Sequence, residues 1–409
     1  MFRIPAKPTD QWLDFRGPSA NGHADADRLP KAWSERSSVL WRTPVHDAGW
    51  SSPIVVGNQV WLTTATERGH EQYVVCVDRQ NGKILVDDKV FTNPNPERIG
   101  AQGNTYASPS PTATRDVVVA HFGTYGTVAY STRTRKPLWT RTDLNCLHFQ
   151  GPGSSPVIGK DRVFVTLDGT DAQFVAALDL RTGKTLWKSD RRIDWAADKT
   201  GAASDPDQRK AFSTPLLWKR KGHDELVTVA ARCFISLDPA TGRELWRIPH
   251  TGFSNATRPV VGGNHLFLNT GFNRPEFWAV NINHDRAPAE SDIAWKIARG
   301  VPTMSSPLWH DGLLYFTADS DFITCVDTTS GQEVWKERLG GRFYASLMMA
   351  GGLLYAVSDN GRTVVLQPGR TFRIVGEGNL PEGSRSCVAV ADNRLFLRTY
   401  DALYCLGNR

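Results

Sequence analysis

Ala177-Leu178-Asp179-Leu180-Arg181-Thr182-Gly183-Lys184-Thr185-Leu186-Trp187-Lys188 reads as two strands joined by a tight turn. An apolar run ends at Asp179, Gly183 stands where the backbone needs φ > 0, and a second strand reaches Trp187. The same pattern returns as Leu237-Asp238-Pro239-Ala240-Thr241-Gly242-Arg243-Glu244-Leu245-Trp246 and as Val326-Asp327-Thr328-Thr329-Ser330-Gly331-Gln332-Glu333-Val334-Trp335. Val77 to Val86 carries it with Val86 in the Trp slot. A hairpin repeated at regular spacing decides the fold before any local argument does.

Two more strands accompany each hairpin, and the first opens with Ser-Ser-Pro or a variant of it. Ser51-Ser52-Pro53, Ser110-Pro111, Ser154-Ser155-Pro156, Ser213-Thr214-Pro215, Thr257-Arg258-Pro259 and Ser305-Ser306-Pro307 are six such openings. Ala345-Ser346-Leu347 and Ser386-Cys387-Val388 are degenerate but spaced alike. The chain therefore predicts eight copies of a four-strand unit A-B-C-D: an all-β, eight-bladed propeller of antiparallel blades. The last copy ends at Leu406 with no D strand, while Val39-Leu40-Trp41-Arg42 precedes the first copy and looks like one. An unpaired edge strand is a liability that ring closure removes, so this N-terminal strand is expected to complete blade eight. Residues 39–409 then form one propeller domain, and residues 1–38 an extension on its rim.

Composition agrees with this reading and excludes several classes. The 409 residues include 35 glycines and 10% aromatics, and few segments have a helical period. A net charge of +6, from 48 basic and 42 acidic residues of mixed order, lacks the basic stripe of a nucleic-acid binder. No apolar run is long enough to span a membrane as a helix. The N-terminal residues given carry no apolar leader segment. Six cysteines occur without a CxxC or adjacent pair, which argues against a zinc or redox motif. Three of them, Cys76, Cys325 and Cys405, fall in one small-residue slot of the repeat, also filled by Ala129, Ala177 and Ser236.

The A–B and most C–D turns are short and share one face of such a ring. The B–C and D–A connections are longer, more variable and share the other, where function is expected.

The Asp-x-x-Thr-Gly-x-x-x-Trp hairpin resembles the tryptophan-docking motif of quinoprotein-type (PQQ-like) β-propellers. In that family the Trp packs between neighbouring blades. The resemblance covers roughly residues 39–409 and assigns docking roles to Trp41, Trp139, Trp187, Trp246, Trp295 and Trp335. Within the family the chain most resembles cofactor-free bacterial quinone-like propellers, such as the outer-membrane β-barrel assembly lipoprotein. The lead-in Trp12-x-x-Phe15-Arg16-Gly17-Pro18 resembles a motif of predicted secreted members. The resemblance implies a monomeric binding or scaffolding protein, periplasmic or secreted, with an unknown protein partner or a small anionic ligand and no cofactor. The alternative it implies is an alcohol or sugar oxidoreductase dependent on pyrroloquinoline quinone and calcium. Against that, the adjacent-cysteine disulfide of those enzymes is absent, and their Glu–Asn–Asp calcium set has no counterpart that can be placed on this sequence.

Candidate site residues follow from the loop face. Arg258, Arg342 and Arg385 break the repeat consensus at or near the innermost strand, and together would favour an anion in the axial channel; pairing with local carboxylates is the plainer alternative. Trp50 and Tyr344, like Phe212 and Met304, precede A strands and could stack on a planar ligand, although regular spacing also fits inter-blade packing. His121 and His148 end or precede strands on this face; each is a candidate base or a loop histidine bonded to backbone. Asp168 with Asp171, and Asp319 with Asp321, place paired carboxylates in B–C loops as candidate cation ligands, though turn chemistry is the plainer explanation and no full ligand set accompanies them.

Overall fold

The computed structural model describes residues 9–99 and 103–408. It has eight sheets arranged as the repeat predicts. Blade 1 runs Ile54–Val56, Gln59–Ala65, Glu71–Asp78 and Ile84–Thr92 in antiparallel order from the axis outward. Blade 8 takes its A, B and C strands from Ala389–Ala391, Arg394–Arg398 and Ala402–Leu406. Its outer strand is Val39–Pro44, with Trp41 opposite Cys405. The N-terminal strand thus closes the ring. No helix among the described residues is long and apolar enough to cross a membrane.

The hairpin register shows why the motif is spaced as it is. Ala177 faces Trp187, Ser236 faces Trp246, Cys325 faces Trp335, and Cys76 faces Val86, each beside a β-bulge. The bulge adds one residue to the outer strand and turns the large ring over the small partner toward the next blade. There the indole N–H finds a carbonyl of the neighbouring turn: Trp41 on Arg79, Trp139 on Leu180, Trp187 on Pro239 and Trp295 on Thr328, at 2.9–3.1 Å. The ring lies on that turn's glycine. At Gly82, Gly183, Gly242 and Gly331 φ is +71° to +77°, and a Cβ would sit within 3 Å of the indole. Trp in one blade and Gly in the next therefore occur together. Blade 1 has Val86, and the blade 2 turn it faces has Arg135 at φ 55° instead of Gly.

Three further blades depart from this rule. In blade 6 the Trp335 indole donates to Gly369 O at 3.0 Å, but the ring does not lie on that glycine. Trp246 meets the long Asn281–Asp292 connection of blade 5 and instead donates to the Glu225 carboxylate at 2.7 Å. Blade 7 has Gly376 in the Trp slot, opposite Val365. Trp33 of the N-terminal segment bridges Gly378 on that outer strand and stacks on Tyr355, with ring centroids 6.5 Å apart. His23–Ala24 adds a parallel fifth strand at the inner edge of the same blade. The docking tryptophans are less enclosed than deep inter-blade packing implies. Trp246 and Trp41 are buried, while Trp139, Trp187, Trp295 and Trp335 are half-buried. They lie on outermost strands, so only one ring face is covered by the neighbouring blade.

Candidate functional site: the axial cavity

The residue immediately before each A-strand opening is Trp50, Ser108, Gly153, Phe212, Ala256, Met304, Tyr344 and Arg385 in blades 1 to 8. All eight line a single cavity of about 260 Å³ at the axis, on the B–C/D–A face. The same repeat register thus supplies one side chain per blade to one ring, and the eight differ in size and polarity.

Two residues further along, the repeat is nearly uniform and forms a belt. Backbone N–H groups donate to the next blade's side chain: Ser52 to Ser110, Ser110 to Ser155 and Ser155 to Thr214. The series continues from Arg258 to Ser306, Ser306 to Ser346, Ser346 to Cys387 and Cys387 to Ser52. These seven contacts span 2.8–3.1 Å. Each satisfies an amide that strand pairing cannot reach at the crowded axis. The missing link is at the seam of blades 4 and 5, where Arg258 stands in the hydroxyl slot. Its Nε donates to Pro215 O at 2.9 Å, and its guanidinium pairs with the Asp14 carboxylate.

Asp14 belongs to a segment that closes the opposite mouth. Trp12 exchanges two backbone hydrogen bonds with Val55, and Leu13 O accepts from Ala113. Buried Arg16 donates to Ser306 O and Pro307 O, Gly22 O accepts from Met349, and His23 Nε2 donates to Trp309 O. Residues 9–24 thereby bridge inner strands on opposite sides of the axis. Arg16 and Arg258 share Asp14 as their nearby carboxylate, and burial holds the Arg16 pKa down to about 10.

The three arginines singled out from sequence do not converge. Arg258 is at the plugged end, Arg342 is exposed beside Tyr344, and Arg385 alone lines the cavity. The Arg385 guanidinium is centred 4.2 Å from the Tyr344 ring and 5.3 Å from the Trp50 ring. Its Nη1 donates to Gly103 O at 2.6 Å, and the Trp50 indole donates to the same oxygen at 2.8 Å. It pairs with no carboxylate among the described residues. Trp50 and Tyr344 therefore do line the site, as Phe212 and Met304 do.

Both histidines lie beneath the surface. His121 Nδ1 bonds the Thr127 hydroxyl at 2.8 Å, and His148 Nε2 accepts the Thr124 amide at 3.0 Å. Burial lowers their pKa values to about 3 and about 4, so each is neutral. Neither lines the cavity. The candidate cation ligands are engaged separately. Asp168 forms a buried two-point pair with Arg191 at 2.8 and 2.7 Å, and Asp321 pairs with Arg338. Asp171 accepts the Leu147 amide, and Asp319 accepts the Thr303 amide and hydroxyl. Among the described residues no cluster of His, Cys, Asp or Glu is arranged to hold a metal.

Sequence reasoning passed over Lys210 and Asp207, which line the cavity from the blade 3–4 connection, and Phe272, which lines it from a B–C loop. A hard cation beside a quinone needs several oxygen ligands. Here the one carboxylate among the described lining residues is Asp207, which is bonded to Lys210, and all six cysteines are free. The aromatic wall suits a flat molecule; the donor set does not make a calcium–quinone centre.

Comparison with known proteins agrees with the architecture. The family model described as outer membrane protein assembly factor BamB matches residues 28–219, 171–287 and 276–371, and the chain belongs to this family. Comparison with the curated proteins gives no match. Among solved structures, BamB from Moraxella catarrhalis is 12% identical with a TM-score of 0.61, over 90% of this chain and 99% of that one. A europium-containing methanol dehydrogenase is 11% identical with a TM-score of 0.59, over 98% of both chains. Quinohemoprotein alcohol dehydrogenase from Comamonas testosteroni is 10% identical with a TM-score of 0.69, over 99% of this chain and 81% of that one. At these identities the structural likeness establishes the fold and nothing finer.

Proposed function

We propose that this propeller is a non-catalytic binding module whose ligand site is the axial cavity on the B–C/D–A face. One observation carries the reading. Eight ring positions of identical register hold eight different side chains directly above a belt that is nearly constant. Blade packing explains the belt and leaves the ring free to vary, as expected where side chains meet a ligand.

The ring's chemistry suits a compact molecule with an apolar body and an acid group. Trp50, Phe212, Met304 and Tyr344 offer faces for stacking, and Arg385 offers a guanidinium held by two rings and one carbonyl. No histidine or cysteine is among the described lining residues, so no Ser–His or Cys–His pair is assembled there. The family's description as an outer-membrane assembly factor favours work in the cell envelope, with the loop face around the cavity turned to a protein partner.

The test uses the intact chain, with phenylacetate and indole-3-acetate as probes, read by calorimetry and thermal shift. Binding is expected to weaken as salt rises. Trp50→Ala and Arg385→Gln should weaken it further without lowering the melting temperature of the free protein. Failure of either probe to bind, or binding indifferent to both substitutions, overturns the reading. A parallel incubation with pyrroloquinoline quinone and Ca²⁺ addresses the oxidoreductase alternative: bound-cofactor absorbance with dye-linked alcohol oxidation would replace the present proposal.

A further inference from the structure

Lys210 is the feature of the cavity that simple ligand capture does not explain. Its side chain is 1% exposed, yet it lines the axial cavity. Its backbone is pinned on both sides: Ser254 N–H donates to Lys210 O at 2.8 Å, and Ala211 N–H donates to Asp168 O at 3.1 Å. Nζ donates to the Asp207 carboxylate and, at 3.1 Å, to the Asp207 carbonyl oxygen. The Phe149 ring centroid lies 5.3 Å from Nζ. Phe149 holds φ 65°, an uncommon conformation for an aromatic residue. Glu97 anchors the peptide there by accepting the His148 and Phe149 amides at 3.1 and 2.7 Å. A built loop thus places an amine, a carboxylate and an apolar cover at the wall of a cavity that also holds Arg385 and aromatic rings.

We propose that Lys210 captures a carbonyl-bearing ligand as an imine, the ligand class being a 2-oxo acid with an apolar or aromatic body. This rests on the ligand-binding reading of the cavity. The body would lie against the aromatic wall, with the acid group toward Arg385. The neutral amine adds its lone pair to the carbonyl carbon to give a carbinolamine. The C–O bond then breaks, and the hydroxyl leaves as water with a proton that Asp207 can relay. Amine and ketone yield imine and water, with no change in oxidation state and no other reactant. Desolvated lysines beside an acid–base partner suit this chemistry.

The electrostatics agree. Burial lowers the Lys210 pKa to about 8, against the opposing pull of Asp205. A larger share of it is therefore unprotonated near neutral pH than of a surface lysine. Neither the repeat motif nor blade packing calls for a lysine here, since the position lies in a connection outside the repeated strands.

The experiment is reductive trapping on the full chain with phenylpyruvate and sodium cyanoborohydride, mapped by peptide mass spectrometry. The expected result is one dominant adduct on the peptide containing Lys210, at least about tenfold above any surface lysine, given its larger free-amine fraction. Lys210→Arg, which keeps the charge and cannot form an imine, should lose it, and Arg385→Gln should reduce it. Mapping on the wild-type chain decides the matter even if the Lys210 variant misfolds. A thermal-shift titration with phenylpyruvate, run without reductant, separates the two claims. Stabilisation with no Lys210 adduct overturns the imine and leaves the cavity reading standing. Neither stabilisation nor adduct overturns both. Adducts spread evenly over surface lysines also overturn the imine.

Discussion

The two ends of the axis are built from the same eight inner strands and are finished in opposite ways. On the loop face the strands begin with eight unlike side chains around an open cavity. At the other end the N-terminal segment bridges blades 1, 2, 6 and 7 with Trp12 and Arg16 buried on the axis, and the groove of about 520 Å³ that remains runs along the segment's flank, against blades 2 to 4. Both ends face the same packing problem, since inner strands converge too closely for ordinary loops to cover. One end leaves a cavity between the starts of the strands, and the other imports chain from elsewhere. The contrast implies that stability is concentrated at the closed end and recognition at the open one.

The most drastic way to break that contrast is to delete residues 1–43. This removes the plug and the closing strand together and exposes both edges of the ring. Loss of the cooperative melt by circular dichroism, with aggregation in size-exclusion chromatography, is expected; a stable soluble variant would show that the closed end is expendable. Next is Asp14→Ala, which leaves Arg258 and Arg16 buried without their carboxylate. Removing one partner of a buried pair costs about 3–5 kcal/mol, measurable by denaturant unfolding. Trp187→Ala should cost about 2–3 kcal/mol, at or below the usual range for large aromatics because the ring is only half covered.

Acid is a milder probe. His121, His148 and His250 are buried and neutral, with folded pKa values of about 3, 4 and 3, all lowered chiefly by burial. The unfolded chain binds their protons from about pH 6.5 downward, so their contribution is complete above that value. It is lost as pH falls through 6.5 toward 4 and then 3, by up to about 1.4 kcal/mol per pH unit for each group. Stability flat from pH 7 to 4.5 would contradict the buried placement. The smallest effect belongs to the open end: Trp50→Ala should change stability by less than about 1 kcal/mol, since it removes a ring residue and no belt contact. A larger loss would mean that the ring also holds the blades together.

What the sequence made legible follows the register. Repeated positions could be counted, so the blades, the closing strand and the docking hairpins emerge from pattern alone. The ring is a register position too. Trp50, Tyr344 and Arg385 occupy it, whereas Arg258 stands two places further along, in the belt, and Arg342 two places before it. Treating the three arginines as one set overlooked a distinction that the repeat itself contains. Lys210, Asp207, Phe272 and the Asp14–Arg16 plug belong to irregular connections. Their positions depend on tertiary contacts such as Trp12 with Val55, and no period in the sequence encodes those. The half-exposure of Trp187 and its counterparts was likewise invisible, because it depends on how wide each blade is beyond its neighbour.

The pairing of Val39–Pro44 with Ala402–Leu406 also has a consequence in time. During synthesis the strand made near the beginning waits for a partner made almost at the end. At ~5–20 residues per second the delay is roughly 20 to 70 s. Throughout it, an early strand rich in apolar residues has no native neighbour, and the seven earlier blades form an open arc with two adhesive ends. A second nascent chain in the same state carries the complementary edge. Dilution, holding factors or delayed compaction would therefore decide whether the ring closes on itself or on a neighbour.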